Sequence, residues 1–104
     1  MADELGRWAE PALLVLASLA EGTKHGYAIT TDVEKHAGVT LGPGTLYAVL
    51  GRLEERGLIE PLPAEGRRRP YRLTPAGAAE LSTQASRMQR IATLSLDRLR
   101  IAPA

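Results

Sequence analysis

The chain has 104 residues, 44% of them hydrophobic and 24% charged, with a formal net charge of +1 and no cysteine. That length holds one domain with a real core and leaves little room for a second. The missing cysteines exclude a disulfide framework and a zinc–cysteine site, and the near-neutral balance excludes a uniformly basic coat.

In chain order, the first helix is expected over about 10–21. Pro11 suits its first turn, Ala12, Leu13, Leu16, Leu19 and Ala20 follow at helical spacing, and Gly22 ends it. This apolar stretch is too short to span a bilayer, and Met1-Ala2-Asp3-Glu4 lacks the basic start of a secretory signal. A cytoplasmic protein without a membrane partner is therefore expected. A second helix runs over about 26–37, with Ile29, Val33 and Ala37 on one side, and stops at Gly38. Gly42-Pro43 then turns the chain into a third helix, about 43–56.

Past Gly57 the period changes. Leu58–Leu62 and Tyr71–Leu73 read as strands, with a turn between them that carries Arg67, Arg68 and Arg69. Thr74 as N-cap and Pro75 in the first turn restart a helix that can run to about Arg100. Three helices, a β-hairpin and a long terminal helix make a mainly α (α+β) fold. Its plan is a winged helix-turn-helix over residues 1–74 followed by a C-terminal helix over 75–104.

The third helix carries the sharpest functional signal. Leu46, Val49, Leu50 and Leu53 would face a core, which leaves Gly44, Ala48, Gly51, Arg52 and Glu55 on the opposite face. An exposed helical glycine costs about 1 kcal/mol against alanine, so two on one face ask for a reason. Close approach to a DNA major groove is one, and a protein docking surface is another. On the DNA reading, Gly44, Thr45, Tyr47 and Ala48 sit where a recognition helix meets the duplex, with Arg52 one turn on. Thr45 and Tyr47 offer hydroxyls to phosphates. The positive charge is local, with residues 58–74 and 75–104 each at a net +2. Arg67, Arg68 and Arg69 can reach a phosphate backbone or minor groove from a wing tip, although three adjacent arginines are also a common solvated surface.

An ordered set of motifs then becomes specific. Leu19-Ala20-Glu21-Gly22, His25-Gly26-Tyr27, Pro43-Gly44-Thr45-Leu46-Tyr47, Leu53-Glu54-Glu55-Arg56-Gly57-Leu58-Ile59 and Tyr71-Arg72-Leu73-Thr74 with Gly77 resemble the PadR family of bacterial transcriptional regulators. The match spans about residues 12–80. The resemblance implies a winged-helix repressor, usually a homodimer, bound to an inverted repeat in double-stranded DNA. Carried onto this chain, it makes Tyr27, Thr45 and Tyr47 backbone or base contacts. It also points to the short subgroup, in which one terminal helix supplies the dimer interface.

The terminal helix supports that independently. Leu81, Ala85, Met88, Ala92, Leu96 and Leu99 fall on one stripe that a body of this size cannot cover along its whole length. A partner helix can, and Leu94, off the stripe, is placed to meet the partner's first helix. Some short members of the family bind planar apolar compounds at the dimer interface. Trp8 and Met88 are candidates to line such an effector pocket, although Trp8 reads more simply as a pin for the N-terminal segment. The only two histidines, His25 and His36, offer few ligands for a metal, and His25 reads as a packing or hydrogen-bonding residue at the start of the second helix. No Ser, His and carboxylate set suggests an enzyme, and no cofactor is expected. The competing readings are a winged-helix protein-interaction module and a ligand-binding protein without specific DNA binding.

Overall fold

A computed structural model of the chain describes residues 9–101. The elements follow in the order α1 (Ala9–Glu21), β1 (Lys24–His25), α2 (Gly26–Ala37), α3 (Pro43–Glu55), β2 (Ile59–Pro61), β3 (Pro70–Leu73) and α4 (Pro75–Ile101). The helices start and stop at the residues that punctuate the sequence. Pro43 opens α3, Gly38 closes α2, and Thr74 caps α4 by accepting the Gly77 N–H at 3.0 Å.

β1 has no counterpart in the sequence pattern. Its two residues pair antiparallel with β3, Lys24 opposite Tyr71 and His25 opposite Pro70, so the sheet order is β1-β3-β2. On the other side of β3, Ile59 faces Leu73 and Glu60 faces Arg72. The Arg72 guanidinium meets the Glu60 carboxylate at 2.8 Å, an exposed cross-strand pair worth at most about 1 kcal/mol but well placed to hold register. Beyond β2 the Leu62 N–H still reaches the Pro70 carbonyl, and the hairpin closes in a tight turn where Glu65 and Arg68 exchange backbone bonds.

The core lies between the first three helices and the root of the hairpin. Leu16 of α1, Ile29 of α2, Leu50 and Leu53 of α3, and Ile59 of β2 are all but sealed from solvent. Each such side chain contributes about 1.5–3 kcal/mol through burial, so these few hold the body together. The buried face of α1 is Ala12, Val15, Leu16 and Leu19. It is rotated from the expected stripe: Val15 is buried, Leu13 is only half-buried and Ala20 is exposed. The cause is that α1 is packed by α2, α3, β3 and α4 together, which cover a wider arc than one neighbour would. On α2, Ile29 and Val33 are buried as the spacing requires, whereas Ala37 lies exposed at the helix end.

α4 leaves this body as an arm. Its 27 residues span about 40 Å, and everything from Ala85 to Arg100 is exposed. The principal extents are accordingly 59 × 27 × 22 Å. No helix among the described residues is long and apolar enough to cross a membrane.

Candidate nucleic-acid interface

The site begins where α3 begins. Gly42 is the N-cap in an extended conformation, no side chain caps it, and Pro43 at the first position has no N–H to satisfy. The positive end of the helix is thus left to solvent, the arrangement that favours an anion. Because Leu46, Val49, Leu50 and Leu53 are buried, Gly44, Tyr47, Ala48, Gly51 and Arg52 all face outward and Thr45 is half-buried beside them. The carboxylates Glu54 and Glu55 lie at the far end of the helix.

Tyr47 is brought to a second element. It is 60% exposed, yet its hydroxyl lies against the first residue of α2: a Cβ on Gly26 would sit 3.0 Å from that oxygen and 3.3 Å from a Leu46 methyl. Glycine at 26 therefore lets α2 start close beside α3. Tyr27, the next residue, is 72% exposed. Tyr27 and Tyr47 together with Arg67, Arg68, Arg69, His25 and Tyr71 line a cavity of about 200 Å³ between the wing and the helix starts. Five of the nine expected DNA-binding residues are thus gathered at one place. Gly44, Thr45, Ala48 and Arg52 are not part of the cavity lining and carry the surface on along α3.

The three wing arginines are not equivalent. Arg69 donates to the Leu62 carbonyl at 2.7 Å and so helps hold the hairpin. Arg68 reaches back across the sheet to His25, Nη1 to Nε2 at 3.2 Å. Arg67 occupies the turn itself. Burial, with the Glu54 carboxylate adding to it, holds the Tyr71 hydroxyl above the ordinary phenol value, so it remains a donor at neutral pH.

Behind the site a polar cluster fixes α2 to α1. Ser18, only 3% exposed, donates to Asp32 Oδ2 at 2.6 Å, and Lys24 Nζ donates to the Ser18 carbonyl. Lys24 also lies 2.8 Å from Glu21 and 3.9 Å from Asp32, while His36 Nδ1 meets Asp32 Oδ1 at 2.9 Å. The Ser18 bond, helped by His36 and Lys24 against the opposing effect of burial, holds the Asp32 carboxyl below the usual carboxylate range. Every buried side-chain polar atom among the described residues has a partner. No group of three or more His, Asp or Glu among the described residues could hold a metal ion.

Elsewhere, α1 and α4 frame an open groove of about 510 Å³, lined by Leu13, Leu14, Ala17, Leu81, Met88 and Ala92 among others. Leu81 is half-buried against the core, Ala85 and Ala92 are exposed, and Met88, Leu96 and Leu99 are largely exposed. Leu94, off the stripe, is also half exposed. Trp8 lies outside the described residues.

Sequence reasoning left out three residues that the cavity gathers: His25 as a member of its lining, Gly26 as a spacing residue and Tyr71. His25 and Gly26 belong to the same short motif as Tyr27. Nothing local signals that His25 faces a wing residue 43 positions away.

Comparison with known proteins agrees with the fold. The transcriptional regulator PadR-like family matches residues 15–83. An uncharacterised 37.1 kDa protein in transposon TN4556 of Streptomyces fradiae is 47% identical over 85 residues, or 82% of this chain. The chain spans only 25% of that protein's length. The transcriptional regulator Rv3488 of Mycobacterium tuberculosis is 40% identical over 83 residues, covering 77% of each chain. Among solved structures, a PadR family transcriptional regulator from Eggerthella lenta superposes with a TM-score of 0.78 at 27% identity, over 92% of this chain and 87% of that one. The fold, the ordered motifs and these matches converge: the chain belongs to the PadR-like family of transcriptional regulators.

Proposed function

We propose that the chain is a homodimeric repressor that binds an inverted-repeat promoter site. The observation that carries this reading is the gathering of Tyr27, Tyr47, Arg67, Arg68 and Arg69 beside the uncapped start of α3. In a pair of such chains the two α3 helices enter successive major grooves, about 34–36 Å apart, and each wing reaches the flanking backbone. Gly44, Thr45, Tyr47, Ala48 and Arg52 meet the groove, and Tyr27 and the wing arginines meet phosphates. Residues 1–74 form the DNA-binding part and residues 75–104 the dimerisation part. Leu81, Ala85, Met88, Ala92, Leu96 and Leu99 pack on the partner, since exposed leucines at this spacing are what a helical interface needs.

The groove between α1 and α4 supports release by a small apolar effector. Its volume lies within the range of ligand sites, and its lining is almost entirely carbon. Met88 lines it, and Trp8 is the second residue assigned to the effector.

Fluorescence anisotropy against the DNA upstream of the chain's own reading frame, with random DNA as control at two salt concentrations, tests the reading. A clear preference for the upstream DNA is expected, along with weaker binding at higher salt. Equal affinity for the two DNAs would sink it.

A further inference from the structure

His25 is caught between two donors. Its Nδ1 accepts the Ala28 N–H at 3.3 Å, which makes it the side-chain cap of α2. Its Nε2 faces Arg68 Nη1 at 3.2 Å, and a guanidinium only donates. A neutral imidazole has one acceptor nitrogen and a protonated one has none. Two donors therefore compete for a single lone pair in the neutral ring, and with Nδ1 committed to the cap, Nε2 carries a hydrogen that points at another N–H. Only the other neutral tautomer lets Nε2 accept from Arg68, and it leaves the Ala28 N–H without that acceptor, so one of the two donors goes unmatched in every state of the ring. His25 and Arg68 both line the 200 Å³ cavity, together with Gly26, Tyr27, Tyr47, Tyr71, Arg67 and Arg69. An oxyanion placed between His25 and Arg68 removes the mismatch, because it accepts from both at once.

We propose that a backbone phosphate of bound DNA sits between the His25 imidazole and the Arg68 guanidinium, accepting a hydrogen bond from each. This rests on reading the chain as a DNA-binding regulator. DNA is the occupant because the same cavity opens beside the start of α3 and the wing, the two elements that reading lays along one duplex. The consequence is mechanical as well as electrostatic. His25 pairs with Pro70 at the base of the wing and caps α2, so a phosphate shared with Arg68 ties the wing to the helix that braces α3. His25 thereby becomes a positioning contact that reads no base.

The test separates the cap from the phosphate contact. His25→Asn keeps an acceptor for the Ala28 N–H, asparagine being among the best N-caps, but has no group at the Nε2 position. It is to be compared with Arg68→Ala and the double variant by anisotropy on upstream and random DNA across a salt series, with thermal unfolding as the control. His25→Asn is expected to leave the unfolding midpoint in place and to weaken both DNAs alike, by about three- to tenfold. Arg68→Ala should lower the slope of log affinity against log salt by about 0.9, and the double variant should be weaker by less than the product of the single losses. The Nε2 resonance of His25 should shift when DNA is added.

Preference for upstream DNA with an affinity indifferent to His25→Asn overturns the phosphate contact and leaves the regulator reading standing. The reverse pattern, equal weakening of two DNAs that the unaltered protein does not distinguish, keeps the contact and sinks specific regulation. Binding of neither DNA removes both. A Nε2 shift produced by inorganic phosphate, with DNA affinity untouched by His25→Asn, marks a free-anion site and also overturns the proposal.

Discussion

In α3, Leu46, Val49, Leu50 and Leu53 are each at most 3% exposed, whereas in α4 Met88, Leu96 and Leu99 are 54%, 61% and 72% exposed. Both helices carry apolar residues at the spacing that makes one face. In α3 that face is covered by α1 and the root of the hairpin, and the opposite face, with its two glycines, is left exposed. In α4 the face is covered only as far as Leu81, where the helix leaves the body. Amphipathic periodicity states that a face must be covered; it does not state by what. The length of the element against the size of the body decides that, and α4 is too long for its own chain to cover.

The contrast can be broken first in the body. Leu53→Ala should cost about 2–5 kcal/mol of unfolding free energy, read by urea denaturation, because the site is closed on all sides. Leu96→Ala should leave the unfolding of the body almost unchanged. If both cost the same, α4 is part of the core and the contrast fails. Next is Leu96→Glu, which places a charge on the exposed face. Sedimentation equilibrium should find dimer dissociation raised by about tenfold or more with helix content retained, since a carboxylate left unpaired in an interface is costly. An unchanged assembly would remove this face from the dimer.

A smaller effect sharpens the DNA side. Arg67→Ala, in the turn of the wing, should flatten the log-affinity against log-salt plot by about 0.9, with stability within about 0.5 kcal/mol of the original. The smallest effect concerns the bracing cluster. Asp32 has a folded-state pKa below its unfolded one, so its contribution to stability is complete above the ordinary carboxylate range and is lost as pH falls through the folded value. Unfolding midpoints should therefore drop more between neutral pH and about pH 3 in the original chain than in Asp32→Asn. Parallel curves would show that the cluster adds nothing dependent on charge.

The helices were legible because Gly22, Gly38, Pro43 and Pro75 mark their ends, and marks of that kind are local. β1 was not, because two residues have no alternation to display and Lys24-His25 is a strand only through Pro70 and Tyr71. The shift of the buried face of α1 toward Val15 was hidden for a related reason: periodicity gives a direction, whereas four neighbours set the width. Tyr27 and Tyr47 could be nominated from motif order and the wing arginines from the turn that carries them, but their meeting in one cavity depends on Gly26 admitting Tyr47. The Ser18–Asp32–Lys24 cluster was also invisible, since Ser18 stands within an apolar helix and its partner lies 14 residues on.

One joint in the fold has a further consequence. Thr74 donates its hydroxyl to the Gly57 carbonyl at 2.7 Å, the Thr74 N–H reaches the Leu58 carbonyl, and a Cβ at Gly77 would overlap that same carbonyl. The root of α4 is therefore bolted to the residues just after α3, with no side chain on Gly77 to hold the backbones apart. Across such a joint α3 and the long arm turn as one crank. A tilt of about 5° over an arm of about 40 Å moves the far end by about 3.5 Å, roughly the rise of one base pair. In two chains clasped by their arms, a shift too small to unpack any core would put the paired heads out of step with the pitch of the duplex.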